Sequence, residues 1–249
     1  MNITQTQITE ARPAPSRLSR IHTLLAVQSV VVILVSINRL TTLTSGYVAA
    51  NEFLRWVDFN NMLILPLISM VAFYLLKKQL EYDSPAREGR WHLALNLTFI
   101  VGIYLLAASY GDHEVTNYLH VRFCAEGETG DLCRIIIFND DEFSHWLFFS
   151  GFVLVNAALM LVQVVFPRPA PRAPGDRGLL MLNALFIGLG IFANLAFETI
   201  GFDLYIVALL ALLAFALLWR RGAQPLFIYY ATAYGFGLIA TAIYITIAG

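Results

Sequence analysis

Residues 204–219, LYIVALLALLAFALLW, contain no charged residue and give the clearest indication of the fold. Asp203 precedes this run, and Arg220 and Arg221 follow it. A helix that crosses the hydrocarbon core of a bilayer needs about 20 mostly apolar residues. The run and its flanks therefore predict a transmembrane helix over 203–219.

Six further apolar runs of similar length surround this one. None of them alternates with a period of two, which excludes a β-barrel and leaves helices as the structure that satisfies backbone amides in lipid. The sequence therefore predicts an all-α integral membrane protein with about seven transmembrane helices. The predicted spans are 22–44, 60–76, 92–110, 145–166, 179–199, 203–219 and 225–248.

The composition agrees with a membrane protein. Hydrophobic residues make up 58% of the 249 residues and charged residues 13%, against about 45–50% and about 25% in soluble domains. This excludes an intrinsically disordered chain and disfavours a soluble globule. The net charge of −1 offers no basic surface for nucleic acid.

Charge asymmetry between the loops predicts the orientation. An excess of Lys and Arg marks the cytoplasmic side of a membrane protein. Twelve of the sixteen basic residues fall on one side of a seven-span arrangement, and twelve of the seventeen acidic residues fall on the other. We therefore predict a cytoplasmic N-terminus and a periplasmic C-terminus. The twelve basic residues are Arg12, Arg17, Arg20, Lys77, Lys78, Arg87, Arg90, Arg168, Arg172, Arg177, Arg220 and Arg221.

Domain organisation follows from these spans. Residues 1–21 form a cytoplasmic tail, and 22–249 form a single seven-helix membrane domain with a long periplasmic loop at 111–144. Cys124 and Cys133 lie in that loop. Because an oxidising compartment permits disulfides, we predict that the two cysteines are bonded to each other.

The same loop holds the residues that are best suited to chemistry. His113, Asn117 and His120 share one face if the third span continues as a helix. Glu142 and His145 have the Glu-x-x-His spacing by which bundle helices deliver a carboxylate and an imidazole to one metal. Together with Asp112, the three histidines and Glu142 predict a His/carboxylate metal site, for which zinc, copper, iron or manganese is suitable. Asn117 and Asp141 are expected as supporting residues.

A second interpretation of these residues stays open. Asp140, Asp141 and Glu142 also suit the N-terminus of a helix, where acids complement the helix dipole. His145 and the neighbouring Trp146 are typical of the membrane interface. Glu198, near the outer end of the fifth span, is either an interfacial acid or an acceptor that orients a ligand imidazole.

Several classes of membrane protein are excluded. A retinal protein needs a lysine inside a span, but Lys77 and Lys78 are the only lysines and both flank a span. A zincin protease needs His-Glu-x-x-His, and the segment that begins at His113 and Glu114 has Asn117 in place of the second histidine.

The segment as a whole resembles the copper-binding part of a polytopic subunit of the copper membrane monooxygenases, the particulate methane and ammonia monooxygenase family. Ala108-Ser109-Tyr110 ends a span, a polar outer loop with Asp112 and His120 follows, and Asp140 to His145 opens the next span. In the family, an Asp-x-x-x-His pair and a second histidine bind copper. His120 and His145 match the two histidines, whereas Thr116 stands where the family has its Asp, and Asp112 is the nearest candidate alongside Glu114.

The resemblance implies a monooxygenase-like subunit with a periplasm-facing copper site, acting on a small apolar substrate in the bacterial inner membrane. It also implies other membrane subunits as partners, besides the lipid bilayer. Zinc or iron are the other metals expected for the same donors. Two alternatives remain: a non-catalytic accessory or scaffold subunit of a larger membrane complex, and a metal-dependent lipid hydrolase.

Overall fold

A computed structural model describes residues 17–82, 89–124, 130–198 and 201–248. Within these ranges the protein is helical and contains no strand. Seven helices are long and apolar enough to cross a membrane, which confirms the predicted fold class. They are α1 (Leu18–Leu40), α2 (Trp56–Glu81), α3 (Arg90–Phe123), α4 (Asp131–Val165), α5 (Pro174–Phe197), α6 (Phe202–Arg221) and α7 (Pro225–Ile247).

The segment predicted as a long loop is largely helical. Helix α3 continues to Phe123, and α4 begins at Asp131, so a loop over 111–144 is the wrong description of the described residues there. The reason is that the polar side chains in this segment bond to one another between α3 and α4. Their helices can therefore extend beyond the apolar runs with most of the buried polar groups paired.

Helix α4 lies at the centre of the bundle. It packs against α3 along most of its length and also contacts α2, α6 and α7, while α1 packs against α2 and α5, and α5 against α7. Val155 and Leu159 of α4 are fully buried, as are Leu210 of α6 and Phe227 of α7. Large apolar side chains such as Leu212 and Trp219 point outward, as expected for a surface in contact with lipid.

Two glycines bring α3 and α4 together. A Cβ on Gly151 would lie only 2.7 Å from the backbone N of Leu106 and 2.8 Å from the carbonyl O of Gly102. Small residues of this kind let helix backbones approach closely in membranes. This close approach fixes the position of α4 relative to α3, and with it the side chains near their outer ends.

We call the end of the bundle that contains Leu40, Trp56, Cys124 and Cys133 the disulfide end. Cys124 and Cys133 are bonded, with their Cα atoms 5.5 Å apart, as predicted from the sequence; the predicted periplasmic exposure of this end stays a prediction. The described residues include three π-helical turns, and all three lie toward the disulfide end, at Asn60–Ile64, Phe138–Phe143 and Asn194–Glu198. Such turns shift the register of side chains and are frequent at functional sites.

Candidate metal centre

Asp140 of α4 is the residue around which the polar side chains of α3 gather. Its carboxylate is 2% exposed, and its two oxygens lie 3.1 Å from Nδ1 of His113 and 2.8 Å from Nδ1 of His120. Asn117 adds a longer contact, with Nδ2 3.4 Å from Oδ2. The helical spacing of His113, Asn117 and His120 therefore places all three on one carboxylate.

The position of Asp140 follows from the helix in which it lies. Cys133, Ile136, Asp140 and Ser144 are all buried and recur at helical spacing along the start of α4. Ser144 donates to the carbonyl O of Asp140 at 2.7 Å. Asp140 lies inside a π-helical turn, not at a helix N-terminus, so the dipole interpretation does not apply to this acid.

Three donor atoms converge at this point. One donor atom each from His120, Asp140 and Asp141 lies within 4.8 Å of the other two. A nitrogen and two carboxylate oxygens form a donor set that suits zinc, copper, iron or manganese. Asp141, expected from the sequence as a supporting residue, lies among the potential ligands themselves.

His145 lies beside this group. Its ring centroid is 5.1 Å from that of His113, and its Nδ1 lies 2.8 Å from the carbonyl O of Asp141. The ends of α3 and α4 therefore meet at one depth, and three histidines from the two helices lie within one region.

The three imidazoles share one chemical form. Nδ1 of His113 lies 3.3 Å from the carbonyl O of Asp140, Nδ1 of His120 lies 2.8 Å from Oδ2 of Asp140, and Nδ1 of His145 lies 2.8 Å from the carbonyl O of Asp141. Because a carboxylate or carbonyl oxygen can only accept a hydrogen bond, each of these rings donates from Nδ1. A neutral imidazole that donates from Nδ1 keeps its lone pair on Nε2. This is the form in which histidine binds metal, with a carboxylate or carbonyl fixing the ring orientation.

Two buried oxygens indicate that the group is not complete without a further partner. Oδ1 of Asp140 and Oδ2 of Asp112 are buried and accept no well-aligned hydrogen bond, although Oδ1 is close to His113. Buried acceptors of this kind are normally satisfied. The donor set and the unpaired Oδ1 of Asp140 fit a bound cation, whereas Asp112, predicted as a ligand, is not among the three residues whose donor atoms converge.

The other predicted residues are placed differently. Glu142 is exposed and is not among the three residues whose donor atoms converge. The side chain of Glu198 lies outside the described residues. Asp140 is the site residue that the sequence pattern did not single out; the spacing of Cys133, Ile136 and Ser144 along one helix face is the signal that could have found it.

Charged pairs surround the centre toward α1 and α2. Arg39 of α1 bonds to the buried carboxylate of Glu114. Arg55 donates from Nε and Nη2 to the two oxygens of Asp58 at 2.7 and 2.8 Å. These hydrogen bonds raise the pKa of Arg55 above its usual value, so Arg55 stays protonated. The pairing of Arg39 with Glu114 is not indicated by the sequence, whereas Arg55 and Asp58 stand three residues apart at the start of α2, a spacing at which helical side chains meet.

Comparisons with protein-family models, curated proteins and solved structures find no match to this chain. The architecture defines the class: over the described residues, an all-α protein with seven helices long and apolar enough to cross a membrane. Its more specific function has to be argued from the site.

Proposed function

We propose that the protein is a membrane-embedded metalloprotein whose transition-metal site lies between α3 and α4 at the disulfide end. The observation that carries the proposal is the buried carboxylate of Asp140, which holds His113 and His120 through Nδ1. Asp141 and His145 extend the donor set on the α4 side. Copper is the metal we propose, with zinc and iron as the other candidates for the same donors.

Within this proposal the chain acts as a monooxygenase-like subunit on a small apolar substrate. A bound copper ion would supply the activation of dioxygen. The carboxylate of Asp140 would have two roles. Its Oδ2 accepts from Nδ1 of His120 and so holds that ring in one orientation, because outer hydrogen bonds fix the tautomer and ring position of metal-binding histidines. Its Oδ1 would bind the metal, and Asn117 supports the carboxylate.

A patch of aromatic side chains beside the site supports this role. Phe138, Phe143 and Trp146 lie on the same part of α4 as Asp140 and are 39–45% exposed. Phe138 stacks with Phe143 and meets Trp146 edge to face. These rings form an exposed apolar surface near the site, which suits an apolar substrate. We further propose that other membrane subunits pack against the bundle.

Metal content tests the proposal most directly. The purified full-length protein is loaded with copper or zinc, dialysed, and analysed for bound metal beside Asp140→Asn. Asparagine keeps the shape of the side chain but does not orient two imidazoles as a carboxylate does. We expect the metal affinity of Asp140→Asn to fall about 10–100-fold.

Asp131→Asn is the matched control. Asp131 lies on the same helix but is 88% exposed and is paired with Arg134 at the surface, so the metal affinity of Asp131→Asn is expected to equal that of the wild type. Wild-type protein without stoichiometric metal would contradict the proposal and leave the accessory or scaffold role. Metal-dependent lipid cleavage without oxygen consumption would support the hydrolase in place of the monooxygenase.

A further inference from the structure

A polar cavity lies next to the candidate metal centre. It has a volume of about 320 Å³ and is bounded by α1, α2, α3 and the connection between α1 and α2. Asn117 lines it and also contacts Asp140, so the cavity and the metal centre share a wall. The volume is at the small end of the range of ligand sites, which is about 300–1,000 Å³.

The cavity exposes cations and hides the acids that pair with them. Arg39 and Arg55 both line it, with side chains 39% and 22% exposed. Their partners Glu114 and Asp58 are each 2% exposed. A molecule that enters the cavity therefore meets the guanidinium groups first.

The unused hydrogen-bond donors of the cavity determine which acceptor groups a bound molecule needs. The hydroxyls of Thr41 and Ser45 already donate to backbone carbonyls. A guanidinium has five N–H donors, and the bonds to Glu114 and Asp58 use one on Arg39 and two on Arg55. The two arginines therefore keep unused donors, as does the amide of Asn117, which has two N–H groups and uses one on Asp140. All of these need acceptors.

The cationic wall is held in position before any ligand binds. Arg55 lies over the ring of Tyr118 with Cζ 5.1 Å from the centroid, and Arg122 lies over the same ring at 5.5 Å. The hydroxyl of Tyr118 donates to the carbonyl O of Glu52 at 2.6 Å, and Nδ2 of Asn38 donates to the carbonyl O of Val57 at 3.0 Å. Preorganised donors of this kind reduce the entropic cost of binding.

We propose that this cavity binds an oxyanion, the phosphate or carboxylate group of a small molecule or of a lipid headgroup. The guanidinium fork matches the geometry of both groups. Because Glu114 and Asp58 offset the positive charges, recognition depends on directed hydrogen bonds more than on net charge. The site does not require a metal, and the apolar substrate proposed above would not enter it.

The proposal is tested by whether Glu114→Gln raises or lowers the affinity for an oxyanion. Full-length protein in a non-ionic detergent is stripped of metal with EDTA, and binding of inorganic phosphate and of acetate is measured by calorimetry. In Glu114→Gln, Arg39 loses its competing carboxylate, so we expect oxyanion affinity to rise about tenfold, the value of one charge-assisted hydrogen bond. In Arg39→Gln/Glu114→Gln, which keeps the pair neutral, binding is expected to be lost.

Arg134→Gln is the control, because Arg134 is 71% exposed and lies at the same end of the bundle; its affinity is expected to be unchanged. Weaker oxyanion binding in Glu114→Gln, or equal binding in the double variant, would overturn the proposal. So would binding of a cation that is lost in Glu114→Gln, since the carboxylates would then be the ligands.

A second arm identifies the source of the oxyanion. Nanodiscs of phosphatidylcholine with and without phosphatidylglycerol are compared by native mass spectrometry. Retention of phosphatidylglycerol by the wild type and its loss in the double variant would assign the site to a lipid headgroup. Phosphate or acetate binding without lipid retention would assign it to a soluble oxyanion. The absence of binding in both arms would refute the site without affecting the metal proposal.

Discussion

Glu81 and Asp140 are both buried carboxylates in contact with histidine, and they lie at opposite ends of the bundle. Glu81 of α2 is paired with Lys77 one turn earlier, and Nε2 of His92 of α3 lies 3.0 Å from it. Lys77 also donates to the amide oxygen of Asn96. Here a lysine lies within the cluster.

Asp140 differs from Glu81 in the residues that could balance its negative charge. Its ion-pair partners among the described residues are His113 and His120, whose charge depends on protonation. A buried carboxylate without a permanent cation is costly unless another positive charge is supplied. The Glu81 cluster therefore contains its own counter-charge, whereas a metal ion would supply the counter-charge of the Asp140 cluster.

Removal of Lys77 should have the largest effect on the free energy of unfolding. Lys77→Met keeps much of the side-chain volume but leaves Glu81 buried without its lysine. Because breaking a buried ion pair leaves an uncompensated charge, we expect the free energy of unfolding to fall by about 3–5 kcal/mol. Reversible unfolding in mixed micelles would measure this loss.

The neighbouring Lys78→Met is the control for that experiment, since Lys78 is exposed and its replacement should change stability by no more than about 0.5 kcal/mol. Equal losses in the two variants would break the comparison, because Glu81 would then not depend on Lys77.

Loss of the disulfide should have the next largest effect on the free energy of unfolding. Its local effect should be confined to the end of the bundle that contains Asp140. Replacing Cys124 and Cys133 by serine releases the short loop between α3 and α4, which should cost about 2–3 kcal/mol in the free energy of unfolding. The metal affinity should fall as well, because the ends of α3 and α4 carry the proposed ligands. Amide exchange near Glu81 should stay unchanged.

Reductant supplies the control for the disulfide. It should produce the same shifts in the wild type and no further shift in the double-serine variant. If amide exchange at the two ends rises equally, the clusters are not independent, and the comparison fails.

Loss of an uncharged hydrogen bond between two helices should have the smallest effect on the free energy of unfolding. The hydroxyl of Ser29 donates to Oδ1 of Asn183 at 2.9 Å, which connects α1 to α5. Interhelical hydrogen bonds of this kind average about 0.6 kcal/mol in a membrane protein, so we expect Ser29→Ala to lower the unfolding free energy by about that amount.

Ser36→Ala is matched to it, because the Ser36 hydroxyl bonds within its own helix, to the carbonyl O of Val32, and should have no measurable effect. A loss for Ser29→Ala as large as that for Lys77→Met would show that charge is not what distinguishes the Glu81 cluster.

Local composition along the chain is enough to specify the architecture. Seven apolar runs predict seven helices because the cost of burying charge in lipid depends only on the residues within each run. The bond between Cys124 and Cys133 and the common face of His113 and His120 are also predictable, because both depend on short separations along the chain.

Which acid organises the histidines depends instead on tertiary packing. Asp140, Asp141 and Glu142 are adjacent in sequence, yet Asp140 alone of the three is buried. That difference arises from the π-helical turn in α4 and from the close approach of α3 and α4 at Gly102 and Gly151. The pair of Arg39 with Glu114 also depends on how α1 meets α3. Such choices depend on helix rotation and packing, which a single sequence does not specify through local pattern.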